Sequence, residues 1–313
     1  MEQRALGTTG LTVTTLGLGC GGPSRLGLSG GAPEELAAGV IDLALQRGIS
    51  FVDTAEAYGN EEVVGRALSG RRDRVVLCTK VTARSRDGRL SAAEFTRRAE
   101  ACLQRLDTGC VDVLYLHGVS PEDYEFALGE ILPAAERLRE QGKVRHVGVT
   151  EAFGGDTEHA MLKRAAHEPR WEVLMVGYNF LNQGAARSVI APAAARGAGI
   201  VIMFAVRRAL RDNEALTAAV ADLVSREPDG ACAQCEAEEP LAAFLERNGI
   251  PSVPDAAYRF CLHTPGVHSV LSGTGDAEHL TANVASALAP PLPAAVTERL
   301  ERQFAGVTHL SGG

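Results

Sequence analysis

Four residue types with complementary proton chemistry fall on three successive apolar runs. FVDTAEAYGNEEVVGRAL, residues 51–68, ends its apolar opening on Asp53 and brings Tyr58 five positions later. VVLCTK ends on Lys80, and DVLYLH ends on His117. A free phenol titrates at about 10, too weak an acid to protonate an alkoxide quickly at neutral pH. A neighbouring ammonium favours the phenolate and lowers that value. Burial alone would discharge the ammonium, so a carboxylate is needed beside it. A tenfold gain in acidity corresponds to about 1.4 kcal/mol, within reach of one close ion pair in a partly dry site. The expectation is a Tyr58 phenol acidified by Lys80, a Lys80 kept charged by Asp53, and a His117 that holds a carbonyl oxygen against the phenol. Such a group gives a proton to a carbonyl while a hydride arrives from elsewhere. Singly, each residue has a blander reading: a turn aspartate, a solvated lysine, a packed histidine. Their joint placement on three strand ends favours the chemistry.

Positioning them requires a scaffold of repeated strands. Apolar, β-branched runs occur at 15–19, 50–53, 74–79, 111–117, 144–149, 172–178, 199–204 and 267–272. Helical patterns lie between them, near 33–48, 60–69, 91–106, 125–142, 156–168, 185–197 and 254–263, and another follows near 276–288. Short strands that are apolar throughout belong to a sheet covered on both faces. Eight strand–helix units in about 250–300 residues predict an α/β fold, a (β/α)8 TIM barrel. A doubly wound sheet is the competing architecture. GLGCGGPSRLGLSGG, residues 17–31, is glycine-rich, but its helix begins too late to hold a pyrophosphate on its N-terminus. It reads as the first barrel loop. LGTTGL, residues 6–11, predicts an N-terminal β-hairpin. Residues 205–253 form a long connection after strand seven, with extra helices near 212–226 and 239–248. No linker composition interrupts the chain, so 1–313 reads as a single domain.

Composition bounds the function. The chain has 313 residues, 45% hydrophobic, with net charge −8. That charge argues against nucleic acid as a partner. No apolar run approaches the roughly 20 residues of a membrane span, and MEQRALGTTG does not read as a signal peptide, so the expected location is cytoplasmic. Of seven cysteines, Cys20, Cys78, Cys102, Cys110 and Cys261 sit in apolar segments and read as buried free thiols. Cys232 and Cys235 form a C-x2-C pair without a second pair at metal spacing, so a solvated loop is expected there and no metal site.

The motif D-T-A-x-x-Y-G-x-E in residues 53–61 resembles that of the aldo-keto reductase superfamily. LCTK, DVLYLHG, VRHVGVT, VGYNFLNQ and SGTGDAEHLTANV resemble its later segments, in order along nearly the whole chain. The resemblance implies a barrel binding NADPH or NADH, with Tyr58 as general acid, Lys80 and Asp53 tuning it, and His117 orienting the carbonyl. It implies Thr150 and Glu151 at the nicotinamide carboxamide, where the family has Ser-Asn, and Met175 where Gln is usual. A Glu151 carboxylate pointing inward would favour the oxidised ring. It implies Met203 or Phe204 against the nicotinamide ring. It implies Gly273, Thr274, Gly275, His279 and Asn283 at the adenine end, with Arg207 and Arg208 as alternative phosphate clamps. Lys and Arg, which NADP-preferring relatives place at the start of helix eight, are replaced here by Gly273 and His279 with Asp276 nearby, a lean toward NADH or dual use.

The expected activity is therefore an NAD(P)-dependent oxidoreductase interconverting an aldehyde or ketone and an alcohol, its partner a small-molecule substrate. A cofactor-sensing regulatory subunit with little turnover is the alternative. A Schiff-base lyase at Lys80 is disfavoured, since a lysine paired with Asp53 is not nucleophilic. Tyr124, Phe126, Tyr178 and Trp171 are candidate pocket walls, Trp171 being the most structural by its place at a strand start. The tail from Phe304 and the loops after strands one, four and seven are expected to shape the substrate site.

Overall fold

The structure, a computed structural model, describes residues 1–313. Twelve strands form: β1 (Gln3–Ala5), β2 (Thr12–Thr14), β3 (Leu16–Gly19), β4 (Phe51–Asp53), β5 (Val76–Thr82), β6 (Arg84–Ser85), β7 (Gly88–Arg89), β8 (Val111–Val119), β9 (Val144–Glu151), β10 (Val173–Gly177), β11 (Gly199–Met203) and β12 (Ser269–Ser272). Eight of them close into a barrel in the order β10-β11-β12-β3-β4-β5-β8-β9. Every neighbouring pair is parallel. The expected (β/α)8 architecture is thus observed, and β1 with β2 makes the expected antiparallel hairpin.

The helices are α1 (Glu34–Gln46), α2 (Glu61–Leu68), α3 (Ala92–Arg105), α4 (Tyr124–Phe126), α5 (Leu132–Glu140), α6 (Ala160–Ala165), α7 (Ala191–Ala195), α8 (Asn213–Arg226), α9 (Ala231–Glu238), α10 (Leu241–Arg247), α11 (Val253–Leu262), α12 (Ala277–Leu288) and α13 (Ala294–Gln303). π-helical turns at Ala127–Ile131 and Ala186–Ile190 lead into α5 and α7, where the sequence predicts unbroken helices. α13 has no counterpart in the sequence reading.

The solvated loop expected at Cys232 and Cys235 is instead helix α9. Ala, Gln and Glu in ACAQCEAE are strong helix formers. The three-residue spacing puts both thiols on one face, buried against α13, where Gln303 Nε2 lies 3.8 Å from Cys232 Sγ. All seven cysteines are free, and Cys110 alone is only partly buried.

Strand alternation builds two cores. One, between barrel and helices, holds Leu16, Leu18, Val52, Leu77, Leu114 and Val149. The other fills the barrel with Phe51, Cys78, Val113, Tyr115, Val173, Met175 and Val201. Leu6 and Val13 of the hairpin complete this inner cluster and close the floor. Gly148 makes room for the Tyr115 ring, which a Cβ would meet at 2.6 Å.

Gly65 shows how tightly the outer layer is set. A Cβ there would lie 2.6 Å from the Leu106 carbonyl oxygen, a backbone atom that cannot step aside. Alanine gains up to about 1 kcal/mol of helix propensity over glycine. Overpacking against fixed backbone costs about 1–3 kcal/mol. Gly65→Ala is therefore expected to lower the urea midpoint at unchanged slope. A raised midpoint would show that propensity wins.

Candidate active site

The period of two along a strand places the chemistry. Phe51, Cys78 and Tyr115 face the barrel interior. Two residues further along the same strands come Asp53, Lys80 and His117, so each stands one layer higher, at the C-terminal mouth. The strands β4, β5 and β8 are consecutive around the barrel. A register irregularity between Leu116 and Val119 marks the end of β8 beside His117. Tyr58 comes from the one-turn 3-10 helix Glu56–Tyr58 after β4. Glu56 anchors that turn through an ion pair to Arg98, 2.8 Å apart. All four sequence-predicted residues meet.

Lys80 is 1% exposed and Asp53 2%. The Lys80 ammonium donates to Asp53 Oδ2, to the Thr54 carbonyl at 2.9 Å and to Tyr58 Oη at 3.3 Å. Its nitrogen lies 4.9 Å from the Tyr58 ring centre. The His117 ring meets the Tyr58 ring edge-on, centroids 5.7 Å apart. Burial would discharge Lys80, but the Asp53 carboxylate overrides it and holds the ammonium above its ordinary range. Burial, then the Lys80 charge, pushes His117 down to about 3, leaving a neutral imidazole.

One expectation is corrected here. Tyr58 is not acidified in this site. Burial raises the phenol above its ordinary value, and Lys80 only pulls part of that back. Desolvation of a developing phenolate outweighs one ammonium, and the negative charge of Asp53 adds to the rise. The phenol is thus fully protonated at neutral pH.

Across the mouth, Thr150 Oγ1 accepts from the Gly118 N–H at 2.7 Å, which ties β9 to β8. Glu151 follows it and turns the other way. Its carboxylate is 0% exposed, accepts from the Gly177 N–H at 2.7 Å and pairs with His159 Nδ1 at 2.9 Å. The inward charge considered from sequence is therefore absent, by strand alternation. Met175 packs inside the barrel, with Met203 against the same cluster.

A stack that the sequence reading missed spans the loops after β9 and β11. His159 lies on Phe153 at 5.2 Å, Phe153 on Phe204 at 6.1 Å, and the Arg207 guanidinium over Phe204 at 4.4 Å. Gly177 admits the Phe153 ring, since a Cβ would overlap it. An unexplained glycine at a strand end was the available signal. Phe204 has φ of 66°, a left-handed backbone rare for a bulky residue. Arg207 Nη1 is buried without a partner, while Arg208 is exposed. The tail crosses here: Asn182 Nδ2 donates to the carbonyls of Thr308 at 3.2 Å and Leu310 at 3.0 Å.

Gly273, Thr274 and Gly275 form the turn into α12. Asp276 caps that helix and accepts from the N–H groups of Glu278 at 2.8 Å and His279 at 2.9 Å. His279 is exposed, and Asn283 Nδ2 donates to Ser272 Oγ at 2.9 Å. Asp276 thus puts a carboxylate, not a cation, at the helix start.

Two expected pocket walls face elsewhere. Tyr178 follows the last interior residue of β10 and turns outward, stacking on Phe260 at 5.9 Å. Tyr124 starts the outer layer, its hydroxyl accepting from Trp171 Nε1 at 3.1 Å. Trp171 is fully buried, as its strand-start position implied. Phe126 lies under the Arg89 guanidinium at 4.9 Å.

His117 gives a direct check on the electrostatics. Its NMR resonances are expected to show a neutral ring from pH 8 to pH 5, whereas an unfolded histidine titrates at about 6.5. The folded chain binds this proton less well than the unfolded one. Its contribution to stability is therefore full above about 6.5 and is lost as pH falls toward about 3. A folded midpoint above 6 would contradict the burial argument.

The Aldo/keto reductase family profile matches residues 15–303. An aldo-keto reductase, AKR11C1 from Bacillus halodurans, superposes in its holo form with TM-score 0.73 at 25% identity, covering 97% of this chain and 96% of that one. Curated relatives include the uncharacterized oxidoreductase YqkF of Bacillus subtilis, 34% identical over 48% of this chain and 49% of that protein. L-galactose dehydrogenase of Arabidopsis thaliana is 34% identical over 48% of each chain. This chain thus spans about half the length of the curated relatives it matches. With a closed parallel barrel and a family match over most of its residues, the chain belongs to the aldo/keto reductase family.

Proposed function

We propose that this chain is a nicotinamide-dependent oxidoreductase that interconverts a small aldehyde or ketone and the corresponding alcohol, with Tyr58 as the proton donor and acceptor. The observation that carries the reading is the Lys80 ammonium at 3.3 Å from Tyr58 Oη, with Asp53 paired to it from the other side. Tyr58 gives its proton to the carbonyl oxygen. Lys80 then stabilises the phenolate left behind, and Asp53 keeps Lys80 charged throughout. The neutral His117 ring donates an N–H to the same oxygen and fixes its direction. A phenol that stays protonated at neutral pH suits the reducing direction; alcohol oxidation needs the phenolate and therefore higher pH.

The residues at the mouth fit a dinucleotide. When bound, the nicotinamide group supplies or accepts the hydride. The Thr150 oxygen already accepts from Gly118, so its hydroxyl proton is free to donate to a carboxamide oxygen. Glu151 is spent on His159 and Gly177, so it leaves this role to Thr150. Phe204 already has Phe153 and the Arg207 guanidinium against its ring, so Met203, packed at the top of the barrel interior, is the other candidate beside the nicotinamide. Arg207 Nη1, a buried donor lacking a partner, suits a phosphate oxygen. Gly273, Thr274 and Gly275 in the turn into α12 would hold the adenine end, together with Asn283, whose amide donates to Ser272. The Asp276 carboxylate and the exposed His279 give a 2′-phosphate no fixed cation, which supports NADH or dual use.

Tyr58→Phe is expected to lower carbonyl-reducing turnover by about 10²–10⁴-fold, the usual worth of a positioned acid, with cofactor affinity kept. Normal turnover in that variant would end the proton-donor assignment. Fluorescence titration of the unmodified chain is expected to give an NADH Kd at or below that for NADPH. NADPH binding about tenfold tighter would overturn the NADH lean.

A further inference from the structure

The phenol needs a fixed distance from Lys80, yet Tyr58 sits on a one-turn helix in a surface loop. The loop after β3 packs against its ring. A Cβ on Gly21 would overlap Cζ of the Tyr58 ring, stand 2.5 Å from Cε2 and lie 2.9 Å from the hydroxyl oxygen. Gly21 is buried, and its φ is outside the left-handed region, so its backbone accepts alanine. Space, not conformation, is what the missing side chain provides.

The same loop is tied down beside that contact. Asn60 is 1% exposed and occupies the N-cap of α2, but its side chain caps nothing. Its amide Nδ2 donates to the Cys20 carbonyl at 2.6 Å, while Oδ1 accepts from the Thr54 hydroxyl at 2.7 Å. Cys20 N–H in turn donates to the Asp53 carbonyl at 2.8 Å. The backbone at Cys20–Gly21 is thus fastened to the strand that carries Asp53 and to the loop that carries Tyr58.

Resting on the reading of Tyr58 as the proton donor, we infer that Gly21 and Asn60 are positioning residues: Gly21 is the surface against which the phenol is held toward Lys80, and Asn60 fixes that surface. Neither gives or takes a proton; both act through the placement of Tyr58. A methyl at Gly21 displaces the ring, which is the free end of a side chain, so the fold tolerates it while the proton-transfer geometry does not.

The test is a double-mutant cycle in the full chain, with turnover, cofactor Kd and thermal unfolding measured on each variant. Gly21→Ala is expected to lower kcat by about 10–100-fold, the scale of a misplacement near 1 Å. Cofactor Kd should stay within about twofold and the thermal midpoint should be unchanged, a split that a generally structural glycine would not give. In the Tyr58→Phe background Gly21→Ala should cost almost nothing more, because the group it misplaces is already gone. Gly30→Ala, in the same loop with nothing within 4 Å of its Cβ, is expected to leave kcat unchanged. If Gly21→Ala does not fold, Asn60→Ser carries the test: serine is as well favoured at an N-cap position, but loses the amide bridge to Cys20. Unchanged kcat in Gly21→Ala, an additive loss in the double variant, or unchanged kcat in Asn60→Ser overturns the inference. Normal turnover of Tyr58→Phe itself would instead remove the proton-donor reading beneath it.

Discussion

A lysine buried at the top of a barrel is stable as a cation only against a carboxylate. Removing one partner of such a pair typically costs about 3–5 kcal/mol, because the remaining charge is left uncompensated. Asp53 and Lys80 stand on adjacent parallel strands, where β4 and β5 pair Asp53 with Cys78, two residues before Lys80. The pair is therefore a product of barrel register. Everything else at the mouth is arranged about it: the phenol within reach of the ammonium, the imidazole kept neutral beside it, and Thr54 giving its carbonyl to the same nitrogen. A one-residue slip of either strand would turn one charge outward into the apolar layer under the helices.

The same alternation sorts the residues that sequence reading placed well from those it did not. Asp53, Lys80 and His117 were legible because each ends an apolar run, and a run of that kind fixes which end is the mouth. The strands and most helices were legible for the same reason. Glu151 and Tyr178 were misjudged by one position: each follows an interior residue, Thr150 and Gly177, and so faces the other way. Phe153 and His159 carry no local pattern at all, and Phe204 is marked in the sequence only as a candidate beside the nicotinamide ring. Their stack forms between loops far apart in the chain, and the only trace in the sequence is a glycine at 177 whose missing side chain gives Phe153 its room. Helix α9 was hidden by its polar face, although its residues are good helix formers.

The raised phenol pKa shows two electrostatic effects competing over a few ångströms. An ammonium at 3.3 Å favours the phenolate, yet burial disfavours it more. The Asp53 carboxylate beside the ammonium opposes its field and raises the phenol further. The phenol thus keeps its proton at neutral pH, with a cation beside it that would offset the charge if the proton left. This division of labour asks that the phenol be held firmly, since the gain from Lys80 falls with distance.

The hairpin at the other end has a topological consequence. Leu6 and Val13 complete the inner cluster, and the Gly7–Thr8 turn is bonded to the start of β11 through Gly197. The barrel is a cul-de-sac. A molecule that reaches Tyr58, Lys80 and His117 therefore arrives from the C-terminal mouth and not through the hairpin end.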